Sequence, residues 1–166
     1  MTGTTREYKL ELQDEIIIPA TRDKVFEALN DINVLKECIP GCEELSREKE
    51  NELIAKVTLK IGPVKARFGG RVILDPSKAP SAFSLSGEGD GGIAGFAKGG
   101  ADVELIESDA ETILRYAAKA ETGGKLAQLG ARLITSTAKK LSKMFFERFL
   151  KVMSGEIELK KITNSD

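Results

Sequence analysis

Histidine is absent from this sequence of 166 residues, and the absence decides more of its chemistry than any residue present. Ser-His-Asp and Cys-His nucleophile systems, imidazole acid/base steps and most transition-metal sites all depend on the ring nitrogens. What remains is carboxylate, Lys, Tyr and two cysteines, Cys38 and Cys42. A lone C-x-x-x-C pair supplies two ligands where a closed zinc site wants four, so no metal site is expected. Two cysteines are also too few for a disulfide framework, and Cys38 reads as a small buried thiol at a helix stop. Glu88, Asp90, Lys98, Arg115 and Tyr116 are candidate acid/base groups near a cavity mouth. Nothing in their spacing forces them together, and charges on exposed strand faces are the commoner reason for such a set. Gly87-Glu88-Gly89-Asp90-Gly91-Gly92 has the composition of a phosphate loop but not its context, because it leads into a strand rather than opening a helix. It reads as hairpin chemistry. No catalytic residue is expected.

The elements that would hold these groups follow from periodicity. Tyr8 to Ile18 alternates as a strand, with Leu10, Leu12, Ile16 and Ile18 on one face and Asp14 interrupting it. Pro19-Ala20-Thr21 stops that strand and opens a short helix with Val25, Phe26 and Leu29 as its apolar stripe. Asp31 to Cys38 is a second short helix, ended by Pro40-Gly41. From Glu43 the period is two for about eighty residues, with turns at the spacing of an antiparallel meander. Gly62-Pro63 makes one turn, Gly69-Gly70 marks a bulge or sharp bend, and Ile93 to Ile106 is read as one strand. The last alternating set is Leu114, Tyr116, Ala118 and Ala120.

Gly123 to Met153 has the period of a helix. At about 100° per residue, Leu126, Leu133, Ile134, Leu141, Met144, Phe145, Phe149 and Val152 share one arc. A continuous helix of that length would be roughly 40 Å long. Arg132, Lys139, Lys140 and Lys143 exclude burial in a bilayer, so it packs on protein. Small residues, Ala127, Gly130, Ala131 and Ala138, dominate its first half. They either let helix and sheet approach closely or leave a ligand cavity. Lys139, Lys143, Phe146 and Leu150 share the opposite side. They suit a partner protein or membrane surface, unless the N-terminal strand or a loop covers the two apolar groups.

This order defines an α+β, helix-grip fold: a curved seven-stranded antiparallel sheet around a long C-terminal helix, with two short helices after strand 1. One domain is expected over residues 1–155, followed by a short charged tail over 156–166. Formal net charge is −1, with both signs interspersed, which argues against nucleic acid. The N-terminus MTGTTREYKLELQDE lacks the apolar core of a signal peptide, and a cytoplasmic location is expected.

Several stretches together resemble the CoxG family of carbon monoxide dehydrogenase proteins, within the START and polyketide-cyclase-like (SRPBCC) superfamily. They are Pro19-Ala20 through Val25-Phe26 with Leu29, Leu35-x-x-Cys38-Ile39-Pro40-Gly41, Gly62-Pro63-Val64 with Phe68-x-Gly70, Gly95-Phe96-Ala97-Lys98-Gly99, and Gly123-Gly124-Lys125-Leu126-Ala127-Gln128-Leu129-Gly130. The resemblance implies a non-catalytic accessory protein that serves a molybdenum hydroxylase of the carbon monoxide dehydrogenase type and links it to the membrane. It also implies a quinone or similar lipid as ligand, with no resident cofactor. Leu59, Phe68, Tyr116, Leu126, Gly130 and Ile134 are the expected lining of the cavity. Membrane-binding members are expected to carry a C-terminal anchoring extension. With the sequence ending at Asp166, Phe146 and Leu150 with Lys139 and Lys143 are the expected membrane or partner contact, at the inner face of the cell membrane. Two rivals stand beside this reading: a docking protein without ligand, and a cyclase- or hydratase-like enzyme using Asp14 and Tyr116.

Overall fold

Alternating side chains and tight turns produce one sheet in the computed structural model, which describes residues 8–159. Its strands are β1 (Tyr8–Ile18), β2 (Cys42–Lys49), β3 (Glu52–Ile61), β4 (Val64–Asp75), β5 (Ala82–Asp90), β6 (Phe96–Ser108) and β7 (Glu111–Gly123). All pairings are antiparallel, in the order β1-β7-β6-β5-β4-β3-β2, so the meander from β2 to β7 ends beside the first strand. The first strand thus forms one edge, and β2 the other.

Between β1 and β2 lie α1 (Arg22–Leu29) and α2 (Ile32–Cys38). Thr21 occupies the N-cap of α1 without a capping side-chain bond, whereas Asp31 Oδ1 accepts from Asn33 N at 2.8 Å to cap α2. The corner after β1 is pinned from the neighbouring strand, because the buried Thr112 hydroxyl of β7 donates to Ala20 O at 2.7 Å. Phe26 of α1 meets Phe83 edge-on, at 5.5 Å between ring centres.

Three expectations are corrected. The stretch from Gly123 to Met153 is not one helix: Gly123 ends β7, and a single turn, α3 (Lys125–Gln128), precedes the long α4 (Ala131–Met153). The break falls at Gly130, whose φ of 93° and ψ of 152° no L-residue holds cheaply. Both pieces bury apolar residues, Leu126 and Ala127 in α3 and Ile134 and Phe149 in α4. Ile93 and Ala94 lie in a 3-10 turn over Gly92–Ala94, and β6 begins at Phe96. Gly95 separates the two with φ 109° and ψ −162°, so the ladder cannot start earlier. Finally, no bulge occurs at Gly69-Gly70, where β3 and β4 keep register, and the irregularities fall in β2, between Cys42 and Glu44 and between Arg47 and Lys49.

Candidate functional site

Register settles which residues face α4. Ile18, Ile16, Asp14, Leu12 and Leu10 of β1 stand opposite Thr112, Leu114, Tyr116, Ala118 and Ala120 of β7. The same inner rows continue through Leu105, Val103, Ala101 and Gly99 of β6 and Phe83, Leu85 and Gly87 of β5. Val72 and Phe68 of β4 and Val57 and Leu59 of β3 complete the face. Apolar residues at this period leave the sheet one face to cover, and α4 is what covers it.

The cover is uneven. At one end Ile18, Val25, Cys38, Leu105, Leu114 and Phe149 form a buried cluster, joined by Tyr116, Phe145, Phe146 and Leu150. At the other end Phe68, Ala94 and Leu126 form a second cluster, with Leu59, Ile61, Val64, Ala66 and Leu129 against it. Leu133 at the start of α4 crowds the Gly62 turn, where an added Cβ would stand 2.7 Å from Leu133 Cδ2. Arg148 near the end of α4 donates to Glu37 O of α2 at 3.1 Å. One helix stripe runs Ile134, Ala138, Leu141, Phe145, Phe149. It is buried at Ile134 and Phe149 and only half-buried at Ala138 and Leu141. Opposite that middle, Leu12, Val57, Val72, Ala101 and Ala118 are likewise half-buried, and all seven residues lie outside both clusters. The helix rests on the sheet at two ends over a partly open, apolar middle.

The residues expected to line a cavity fall around this middle rather than in one place. Leu59, Phe68 and Leu126 come together in the second cluster. Ile134 is buried on the stripe, Gly130 is the hinge before α4, and Tyr116 belongs to the first cluster. Of the expected surface residues, Lys139 and Lys143 are exposed. Phe146 and Leu150 are not: both are half-buried against the first cluster, and the Phe146 ring stacks on Tyr116 at 5.6 Å and 18°. The outward placement fails because the last turns of α4 are flanked by β1, β7 and α2, which widens the buried arc beyond one stripe.

Thr122 has no counterpart among the residues the sequence singles out. It sits on the inner face by register, opposite Ala97, is 7% exposed, and its hydroxyl has no hydrogen-bond partner among the described residues. An unpaired buried hydroxyl costs roughly 1–3 kcal/mol, so a ligand oxygen that engaged it would recover that cost. A Thr in an alternating strand carries no sequence signal for this; only the missing partner does.

The titratable groups do not converge. Glu88 and Lys98 lie on the outer face in a row of alternating sign, Lys9, Glu121, Lys98, Glu88, Arg71, each opposite the next across neighbouring strands. That row borders an open groove of about 630 Å³, and a second of about 610 Å³ adjoins it through Arg71, Glu88 and Lys98. No residue of α4 lines either groove. Lys98 pairs with Glu121 at 3.1 Å, Arg71 with Glu52, and Arg115 with Glu15 at 2.8 Å. Asp90 Oδ1 accepts from Gly92 N at 2.7 Å and shapes the turn. Asp14 stands opposite Tyr116 but is exposed and accepts from Glu15 N at 2.8 Å. Burial pushes the Cys38 thiol up to about 12, Glu37 adding to the rise and Arg148 opposing it. Burial also raises Cys42. Both are poor nucleophiles, and no group of three or more metal-binding side chains occurs among the described residues.

A curved antiparallel sheet closed by a C-terminal helix, with paired short helices after the first strand, defines the helix-grip class of START and polyketide-cyclase-like proteins. Within it, the family model of CoxG, a subunit of carbon monoxide dehydrogenase, matches residues 15–154, and the chain belongs to that family. A conserved protein from Geobacillus kaustophilus is similar at 29% identity and a TM-score of 0.82, over 92% of this chain and 100% of that one. The Zhui aromatase/cyclase from Streptomyces sp. R1128 is similar at 11% identity and 0.65, over 91% and 97%. A START superfamily protein from Mycobacterium smegmatis is similar at 10% identity and 0.68, over 89% and 99%. The last two share the fold alone. No curated protein sequence matches the chain significantly.

Proposed function

We propose that this protein is a non-catalytic accessory protein of a molybdenum hydroxylase of the carbon monoxide dehydrogenase type. In this reading it carries a hydrophobic ligand, a quinone or a lipid, between α4 and the sheet, and links the enzyme to the membrane. Family membership supports the enzyme partner. One observation carries the ligand: the α4 stripe is buried at both ends yet half-open at Ala138 and Leu141, against apolar walls that are half-open too. Apolar surface left partly wet is a standing attraction for an apolar guest, at about 0.8 kcal/mol per buried CH₂. The unpartnered Thr122 hydroxyl suits a guest with a carbonyl or hydroxyl at one end. Catalysis of the cyclase kind would want an ionisable cluster in the same space, whereas Asp14 is exposed and the Tyr116 ring is stacked on Phe146.

Organic extraction of the purified protein, read by mass spectrometry, tests the carrier part. An isoprenoid quinone or lipid recovered at near one per chain is the expected result. A protein that yields no apolar molecule and takes up none from detergent micelles is not a carrier. Docking without a ligand would then stand on the exposed Lys139 and Lys143 of α4.

A further inference from the structure

The second cluster marks one end of the molecule, and that end has an unusual surface. Four of its neighbours are exposed cations: Lys60 precedes Ile61, Lys65 follows Val64, Lys125 precedes Leu126, and Arg132 precedes the Leu133 that crowds the Gly62 turn. None of the four forms an ion pair among the described residues. Acid is scarce around them. No Asp or Glu occurs between Glu121 and Glu147, nor from Leu59 to Ala66, nor from Gly91 to Ala97. The nearby carboxylates are engaged: Asp90 by Gly92 N, Glu121 by Lys98, Glu43 by Thr58 and Arg67, and Glu147 by Lys143.

At the same end the 3-10 turn presents Ile93, 87% exposed, the most exposed large apolar residue among the described residues. The next residue, Ala94, is buried against Phe68 and Leu126, so the turn has a fixed base. A Cβ added at Gly91 would stand 2.5 Å from the Phe68 ring, and one at Gly95 would stand 2.2 Å from Gly123 O. The base of the turn therefore has no slack to fold Ile93 inward. The β3–β4 turn adds an exposed Gly62-Pro63 pair between Lys60 and Lys65. A large apolar side chain held out in water among unpaired cations is costly alone and well matched to an interface whose surface is anionic and whose interior is hydrocarbon.

From this juxtaposition we infer that the β3–β4 turn, the 3-10 turn, α3 and the start of α4 form the face that meets an anionic bilayer. Ile93 enters the acyl boundary, and Lys60, Lys65, Lys125 and Arg132 contact lipid phosphates. The inference rests on the membrane link proposed above and gives it a location. That location differs from the Lys139, Lys143, Phe146 and Leu150 side, where the apolar pair is turned inward. It also places the membrane beside the second cluster, to which α3 contributes Leu126, and beside the Gly62 turn that Leu133 of α4 crowds.

Cosedimentation of the full chain with phosphatidylglycerol-containing vesicles, against phosphatidylcholine alone, is the test. Binding to the anionic vesicles only is expected, weakening between low and high salt because phosphate contacts are screened. Ile93→Ser and the double variant Lys125→Glu/Arg132→Glu should each lower partitioning about tenfold or more. Lys139→Glu/Lys143→Glu should change it much less, and the thermal midpoint of each variant confirms the fold. Wild-type protein that ignores anionic vesicles overturns the inference. So does binding that survives the first two substitutions and is lost with the third, or capture of an acidic protein while vesicles are ignored. Ligand recovery is read separately, so an empty protein that still binds vesicles would remove the carrier reading and leave this face standing.

Discussion

Cys38 has no exposed surface, and its neutral thiol is part of the first cluster rather than a reactive group. Because burial raises its titration from 9.0 to about 12, the folded protein holds the proton more tightly than the unfolded chain. Its contribution to stability is therefore fully present below about pH 9 and lost as pH rises toward 12. Urea midpoints should fall with pH across that window, and the fall should be shallower in Cys38→Ala; equal slopes would place the thiol in contact with water. Phe146 carries the opposite lesson at this scale. Its position on the wheel suggests a surface group, yet its ring lies on Tyr116, a residue of β7 far back along the chain that no periodicity could announce. Gly95 is a glycine for a physical reason: its backbone conformation and the nearness of Gly123 O exclude a side chain.

Among the elements, α4 is one helix with two packing regimes. Phe149 is fully buried at its C-terminal end, so Phe149→Ala should cost about 3–5 kcal/mol. Leu141, half-buried over the open middle, should cost only about 1 kcal/mol on truncation to Ala, because little apolar area leaves water there. Denaturant titration of the two variants checks the contrast directly. Equal losses would mean that the middle of α4 is as tightly packed as its end. The apolar arc is readable in the sequence because it repeats at the helical period, but the break at Gly130 is not. Ala and Gly at neighbouring positions give the same pattern whether the chain hinges or continues, and only the φ of 93° separates the two.

Over the whole molecule the two proposals occupy different places, one in the middle of α4 and one at the second cluster, and they should separate by mutation. Ala138→Trp should displace the apolar ligand and leave vesicle binding unchanged, whereas Ile93→Ser should do the reverse. Extraction and cosedimentation on the same two preparations decide it; both functions lost together would tie them to a single site. The architecture was already legible in the order of patterns along the chain. Strands of period two, a turn at Gly62-Pro63, and one long terminal stripe of helical period admit few arrangements, since each apolar face must be buried and connections stay local. The absence of histidine likewise closed off whole classes of chemistry before any fold was drawn. Which side chains meet was left to the folded molecule: Leu59, Phe68 and Leu126 converge while Tyr116 lies apart with Phe146, Thr122 is left without a partner, and Ile93 stands out among unpaired cations. Such placements come from register and from contacts between strands and helices far apart in the chain, and a pattern that repeats every two or four residues holds no record of them.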